Sequence, residues 1–346
     1  MSDSSAPKPF VVISGEIVDD AMQGHEGSLL DLVKRGYILH GEGKTVNPPS
    51  YFLRFPDDPR NRIIALPSAV GGDVDVSGIK WISSYPNNVD SGIPRASAVV
   101  ILNDSKNGYP LACLEGSIIS AVRTAASAAI AASLLSENRP KIARLGIVGT
   151  GLIARYVYKY LVAAGIDPDE VALYDKDDVH SNGLARHLFR ERESIEVTVH
   201  ESIEDVIRSS DLVIFATTAG SPYVTDVDWF SHKPLVLHIS LRDLSPTIIF
   251  DSCNIVDDVE HCLKAETSVH LAEQASRNRD HVHATLYSVI TGSFAPPSDR
   301  TVVFSPFGLG VLDLVVAKFI YNQAIRSNTA LVVESFFHDL SRHGGR

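Results

Sequence analysis

The sequence is short of several residue types, and each shortage excludes something. Its 346 residues include three cysteines, Cys113, Cys253 and Cys262. These are too few and too scattered for a disulfide framework or a four-cysteine zinc site, and they read as free thiols of a reducing compartment. No run of about 18 consecutive apolar residues occurs, so no membrane partner is expected. Met1 to Pro9 lacks the basic start and apolar run of a signal peptide, so the expected location is cytoplasmic. Positive charge is also scarce: 31 Lys and Arg stand against 42 Asp and Glu, a net charge of −11. That balance argues against a nucleic-acid partner and leaves room only for a local cationic pocket. The thirteen histidines show no H-E-x-x-H spacing. His281-Val282-His283 beside Asp280 reads as a polar helix face, and no metal is expected.

What is present is an ordinary globular balance: 45% apolar and 21% charged residues. At this length, one or two domains with sizeable cores follow. Over the first 110 residues, one early helix, Met22 to His40, is ended by Gly41-Glu42-Gly43. Short strands follow at Tyr51–Phe55, Arg62–Pro67, Gly78–Ser83, Ser97–Leu102 and Leu111–Leu114, broken by turns at 56–59 and 103–108. This half reads as a mostly antiparallel sheet. Ser117 to Ser136 is an alanine-rich helix read as a buried connector, with Arg123 as its odd charge.

Strands then alternate with helices. Arg144–Val148, Val171–Tyr174, Glu196–Val199, Leu212–Ala216, Leu235–Ile239 and Asn254–Val256 are separated by helical stretches such as Ile153–Ala164 and Gly183–Glu191. That spacing implies an α/β unit with a doubly wound parallel sheet. A strand at Val302–Phe304 and an apolar helix from Leu312 to Ser327 read as a return to the first domain. The doubly wound unit, residues 123–302, is then an insertion between 1–122 and 303–346.

Gly149-Thr150-Gly151-Leu152-Ile153-Ala154 fits the G-x-G-x-x-G/A pattern, follows a strand and opens a helix. Gly149 allows the tight turn, Gly151 lets the backbone approach a pyrophosphate, and Ala154 permits close helix–strand packing. Asp175 closes the next strand, 26 residues after Gly149. A carboxylate there accepts hydrogen bonds from the adenosine ribose and repels a 2′-phosphate, so NAD is favoured over NADP. Thr217 and Thr218, after the fourth strand, are expected beside the cofactor at the carboxyl edge of the sheet.

The whole chain resembles the ornithine cyclodeaminase/mu-crystallin family. The landmarks are Arg54 in Tyr-Phe-Leu-Arg, Lys80 in Gly-Ile-Lys, Gly108-Tyr-Pro, Ser120-Ala-Val-Arg123-Thr-Ala-Ala, the Gly149 fingerprint and Ser305-Pro-Phe-Gly308. The resemblance implies a Rossmann-type NAD domain inserted into a discontinuous α+β substrate and dimerisation domain, and a homodimer. It places Gly308 with the cofactor and makes Arg54, Lys80 and Arg123 grips for substrate carboxylates, with Lys80 also catalytic. It makes Asp243 the residue that takes up the amine proton and guides water, a role served by a pKa raised toward neutrality. Arg242 is the neighbour that would depress it instead. His238 either assists or is a core residue; Arg95 either reaches a further carboxylate or supports the dimer.

Three stretches sharpen the resemblance: 78–86, 92–97 and 238–244, the last reading His-Ile-Ser-Leu-Arg-Asp-Leu. They point to the branch in which NAD-dependent oxidation of a secondary amine of glutamate releases L-2,3-diaminopropionate and 2-oxoglutarate. Ser-Leu-Arg-Asp stands in place of the cyclodeaminases' longer glycine-containing loop, and Trp81 follows the lysine. Both departures weigh against ornithine cyclisation. Alanine dehydrogenase and ketimine reductase activity remain same-fold alternatives, and a non-catalytic NAD-dependent binding protein is the alternative from another class.

Overall fold

The computed structural model describes residues 8–338. The polar start, 1–7, and the glycine-containing tail, 339–346, lie outside the described residues. In chain order the elements begin with β1 (Val11–Ile13), α1 (Gly15–Asp20), α2 (Glu26–Gly41) and β2 (Thr45–Val46). Then come β3 (Tyr51–Phe55), β4 (Asp58–Val70), β5 (Val76–Ser84), β6 (Ala96–Asn103), β7 (Pro110–Glu115) and α3 (Ser117–Ser136). The alternating region holds β8 (Arg144–Val148), α4 (Leu152–Ala163), β9 (Glu170–Tyr174), α5 (Asp178–Glu191), β10 (Glu196–Val199) and α6 (Ile203–Ser209). It continues with β11 (Leu212–Phe215), β12 (Leu235–His238), α7 (Pro246–Asp251), β13 (Cys253–Val256), α8 (Val259–Cys262) and α9 (Ser268–Ser276). The chain finishes with β14 (Val282–Thr285), α10 (Leu286–Ile290), β15 (Val302–Ser305), α11 (Gly310–Arg326) and β16 (Leu331–Val332).

Two compact units result. One takes the chain up to His25, Leu39–Ser120 and everything from Gly310; the other takes Glu26–Ile38 and Ala121–Leu309. In the first unit the sheet order is β16-β1-β7-β6-β5-β4-β2, with β3 also on β4, and only the β1–β7 pair is parallel. Alternation along β5 and β6 buries Val76, Lys80, Val100 and Leu102 on the face covered by α11 and exposes Trp81 and Val99 on the other.

In the second unit all eight strands are parallel, ordered β10-β9-β8-β11-β12-β15-β13-β14. Strands β11, β12, β13 and β15 are buried at every residue, as strands covered on both faces must be, which is why they read as mostly apolar runs, with His238, Asn254 and Ser305 as buried polar exceptions. Asp177 and Ser202 start α5 and α6 by accepting the amide hydrogens of Val179 and Glu204. The α/β reading with an inserted doubly wound sheet therefore describes the molecule.

Three expectations are corrected. The strand near 302–304 is β15, which lies between β12 and β13 in the parallel sheet, so the second unit runs to Leu309 rather than stopping at 302. His281-Val282-His283 belongs not to a helix: Val282 and His283 open the edge strand β14, and His281, in the turn before it, has Nε2 at 3.0 Å from the Val269 carbonyl. The early helix starts at Glu26, after the separate short α1 capped by Ser14. Helix α3, 20 residues long with mean hydropathy 1.7 over an 18-residue stretch, is apolar enough to span a membrane by length and composition, but 67% of that stretch is buried inside the protein.

Candidate active site

The fingerprint loop leaves β8 at the point where strand order reverses between β8 and β11, the place where ligands settle in doubly wound sheets. Gly149 adopts φ +88°, and a Cβ there would sit 2.7 Å from the carbonyl oxygen of Ala216. Only glycine fits. A Cβ on Gly151 would meet nothing within 4 Å, and Gly151 caps α4 with no side-chain acceptor. The amides that open α4 at Leu152 and Ile153 thus stand at the positive end of a helix beside open space, an arrangement that suits a pyrophosphate. Ala154 is fully buried behind them.

Asp175 follows β9 and accepts from the Thr150 amide at 2.7 Å and the Thr150 hydroxyl at 2.9 Å. Thr150 therefore ties the loop to the second strand, and its amide hydrogen is spent there rather than on a phosphate. The Asp177 amide donates to the other Asp175 oxygen at 3.3 Å.

The loops after β11 and β12 meet around Asp243, which is 0% exposed. Its Oδ1 accepts the Thr217 hydroxyl and, at 2.9 Å, the Tyr223 hydroxyl; its Oδ2 accepts the Ser240 hydroxyl. His238 Nε2, also fully buried, lies 3.1 Å from Oδ2, and His238 Nδ1 lies 3.2 Å from Ser305 Oγ. Leu241 takes φ +76°, an unusual conformation for a branched residue, and the Ser268 amide holds its carbonyl at 2.7 Å. Thr218 is exposed and takes no part in this cluster.

Burial pushes the Asp243 carboxyl up, but the His238 hydrogen bond and charge, with Ser240 and Thr217, outweigh it and hold the group at about 2. The expected rise toward neutrality is thus reversed. Arg242 is not the cause, because its guanidinium donates to the carbonyls of Ala265 and Glu266. Burial and the Asp243 charge together push the Tyr223 phenol above its ordinary range.

A neighbouring arrangement involves Arg123. Buried Asp257 accepts the Phe307 and Gly308 amides at 2.9 and 2.7 Å and the Cys262 thiol at 3.1 Å. Gly308 has φ +99°, and a Cβ there would lie 2.6 Å from Arg123 Nη1. The missing side chain makes room for the guanidinium.

In the first unit Lys80 is 2% exposed and donates to Asp313 Oδ2 of α11 at 2.7 Å and to Ser120 Oγ at 3.2 Å. A buried ammonium needs such a partner. Arg54 pairs in register with Arg62 and Arg62 with Ser84; Lys80 shares that face, about 13 Å along the strand from Ser84. The exposed Arg54 guanidinium sits 5.2 Å from the centre of the Phe52 ring. Arg95 donates to Ser84 Oγ at 2.7 Å, and burial lowers its pKa.

Within the second unit, then, the fold brings Thr217 and His238 onto Asp243, and Arg123 onto Gly308. Within the first, Arg54, Arg95 and Lys80 share one sheet face, with Lys80 apart. Sequence reasoning missed Tyr223, Asp257 and Asp313. Asp313 carried a signal: a lone acid in the apolar run Val311-Leu312-Asp313-Leu314-Val315 needs a buried cation. Tyr223 carried none.

The model of the ornithine cyclodeaminase/mu-crystallin family matches residues 22–328. The chain belongs to that family. It is 30% identical to the N-((2S)-2-amino-2-carboxyethyl)-L-glutamate dehydrogenase of Staphylococcus aureus (strain NCTC 8325 / PS 47), over 90% of this chain and 94% of that one. An archaeal alanine dehydrogenase dimer with bound NAD superposes with a TM-score of 0.84 at 25% identity, covering 94% of this chain and 99% of the other. The Thermococcus litoralis Δ1-pyrroline-2-carboxylate reductase, in complex with NADH and L-proline, gives 0.86 at 24% identity over 93% and 100%. In this family fold, the fingerprint and Asp243 lie along the same carboxyl edge of one parallel sheet.

Proposed function

We propose that the chain is an NAD-dependent oxidoreductase acting on a CH–NH bond of an amino acid, and that its substrate is N-(2-amino-2-carboxyethyl)-L-glutamate. The products are L-2,3-diaminopropionate and 2-oxoglutarate, made in the cytoplasm as a supply for siderophore or peptide natural products. The observation that carries this reading is the buried carboxylate of Asp243, held by His238, Ser240, Thr217 and Tyr223 at the carboxyl edge of the sheet that bears the dinucleotide loop. The likeness to the S. aureus dehydrogenase supports the choice of substrate.

The loop amides after Gly151, Asp175, Thr218 and Gly308 are the residues that would hold NAD, which supplies a hydride acceptor. The substrate carries three carboxylates. Arg54, Arg95 and Arg123 offer planar forks for them and Lys80 a compact charge that Asp313 fixes in place. Gripping the carboxylates orients the α C–H bond, and much of the rate comes from that orientation. Once the α-carbon reaches the imine level, water adds and the C–N bond breaks, with Asp243 handling the protons. Homodimerisation uses the open face of the first sheet, where Tyr51, Leu53, Trp81 and Val99 are exposed.

The test is a substrate panel followed by NADH absorbance. The tricarboxylic amine should exceed L-alanine, L-proline and L-ornithine in kcat/KM by at least about 100-fold, since a site built for extra carboxylates loses charged hydrogen bonds with smaller substrates. L-Alanine leading the panel would assign the chain to the alanine dehydrogenase branch. L-Proline leading would favour ketimine reduction. Silence with all four, alongside tight NAD binding, would favour a binding protein.

A further inference from the structure

Asp243 is wholly enclosed, so no carboxylate oxygen meets solvent or an incoming molecule directly. Every route to it passes through one of its partners. His238 is itself fully buried. The Thr217 hydroxyl is doubly engaged, because its oxygen also accepts the Ala219 amide at 3.2 Å. Ser240 sits three residues from Asp243 in the loop pinned by the Ser240 amide on the Phe215 carbonyl at 3.1 Å.

Tyr223 differs in reach. Like Thr217 and Ser240 it is partly exposed, and its long side chain places a hydroxyl 2.9 Å from Oδ1. Its backbone is stitched to the same residue: the Tyr223 and Val224 amides donate to the Asp243 carbonyl at 3.1 and 3.0 Å, and Val224 bridges Leu244. Backbone and side chain thus fix one phenol against one carboxylate.

Building on the proposed imine hydrolysis, we propose that Tyr223 is the relay through which buried Asp243 takes the proton of the water that adds to the imine and returns it to the departing nitrogen. In the first step the water oxygen bonds to the imine carbon and a proton passes from that oxygen to Tyr223 Oη. The phenolic proton passes to Asp243 Oδ1, leaving the phenol intact and the carboxyl neutral. In the second step the same path runs backwards to the nitrogen. The C–N bond breaks with its electron pair on the amine while a lone pair of the hydroxyl oxygen closes the C=O bond. The hydroxyl proton passes to the departing amine, which leaves as an ammonium ion. Both protons of the water thus end on the nitrogen, and Asp243 is returned as the carboxylate.

The lowered pKa of Asp243 is compatible with these two steps. An oxygen that has just added to an iminium carbon is more acidic than a carboxylic acid, and an amine is far more basic than a carboxylate. The charged or titratable groups facing the pair are His238 from the end of β12 and Tyr174 from the end of β9. Arg242 points elsewhere.

The experiment is stopped-flow on the full-length protein with Tyr223→Phe, which keeps the ring and removes the hydroxyl. It uses NAD and the amino acid that the wild type converts to an oxo acid. The variant should show a burst of NADH followed by steady turnover at least about 10-fold slower than wild type, a loss typical of removing one proton-transfer partner. The Asp243→Asn, Tyr223→Phe double variant should be no slower than Asp243→Asn alone. No burst, with wild-type turnover and pH profile, would overturn the relay. A readout that needs no substrate separates this from failure of the substrate assignment. In ring-labelled tyrosine NMR the Tyr223 signal, identified by its loss in Tyr223→Phe, should stay protonated beyond the pH at which exposed tyrosines ionise. Ionisation together with them would overturn the contact on which the relay depends.

Discussion

Asp243 shows how much a residue's surroundings decide. Its position was legible from Ser-Leu-Arg-Asp, yet its chemistry was not, because two of its three hydroxyl partners come from the loop after β11, beside the imidazole at the end of β12. Tyr223 and Thr217 lie 20 and 26 residues away in the chain, so no local spacing announces them. The depressed pKa has a stability consequence. The folded value, about 2, is below the ordinary 3.8, so the stabilisation is present above pH 4 and is lost as pH falls from about 4 toward 2. It amounts to about 2 kcal/mol. Urea unfolding at pH 7 should find Asp243→Asn less stable than wild type, with the gap narrowing at pH 3. A gap that does not change with pH would contradict the hydrogen-bonded, ionised carboxylate.

At the scale of the element, legibility followed burial. The central parallel strands read directly because strands covered on both faces are mostly apolar, and α3 read directly because its alanines are all buried. Strand β14 was misread because it is a half-exposed edge, four residues long, with His283 among them. Strand β15 was read as a strand but sent to the wrong unit, since a buried run of Val302-Val303-Phe304 carries no mark of which sheet it joins. The loop after β8 is the most constrained element. Gly149→Ala would force a left-handed non-glycine residue, at a cost of about 1–2 kcal/mol, and press its Cβ against the Ala216 carbonyl. NAD affinity measured by calorimetry should fall at least about tenfold, as that loss of free energy implies. Gly151→Ala removes open space at the loop without backbone strain, so it should weaken NAD while leaving the thermal midpoint unchanged. Equal thermal midpoints for both variants would contradict the distinction.

For the whole molecule, the net charge of −11 and the cationic side chains Arg54, Lys80, Arg95 and Arg123 are separate facts that the proposed tricarboxylic substrate would reconcile. The first sheet leaves Tyr51, Leu53, Trp81 and Val99 open, and in-register pairing places Tyr51, Ala65, Trp81 and Val99 in one row across four strands. That row is the seam of the proposed dimer. Trp81→Asp should convert a dimer to a monomer in sedimentation velocity, and a wild type that sediments as a monomer would contradict it. Sequence supplied the candidates; the fold alone showed that Lys80 is pinned by Asp313 and Arg123 seated on Gly308. The central claim is the cleavage itself. It is tested most directly with N-(2-amino-2-carboxyethyl)-L-glutamate deuterated at the glutamate α-carbon, incubated with NAD and the protein. The account predicts deuterium in the reduced cofactor, with 2-oxoglutarate and L-2,3-diaminopropionate released in equal amounts. Oxidation without diaminopropionate, or no transfer of deuterium to the cofactor, would contradict it.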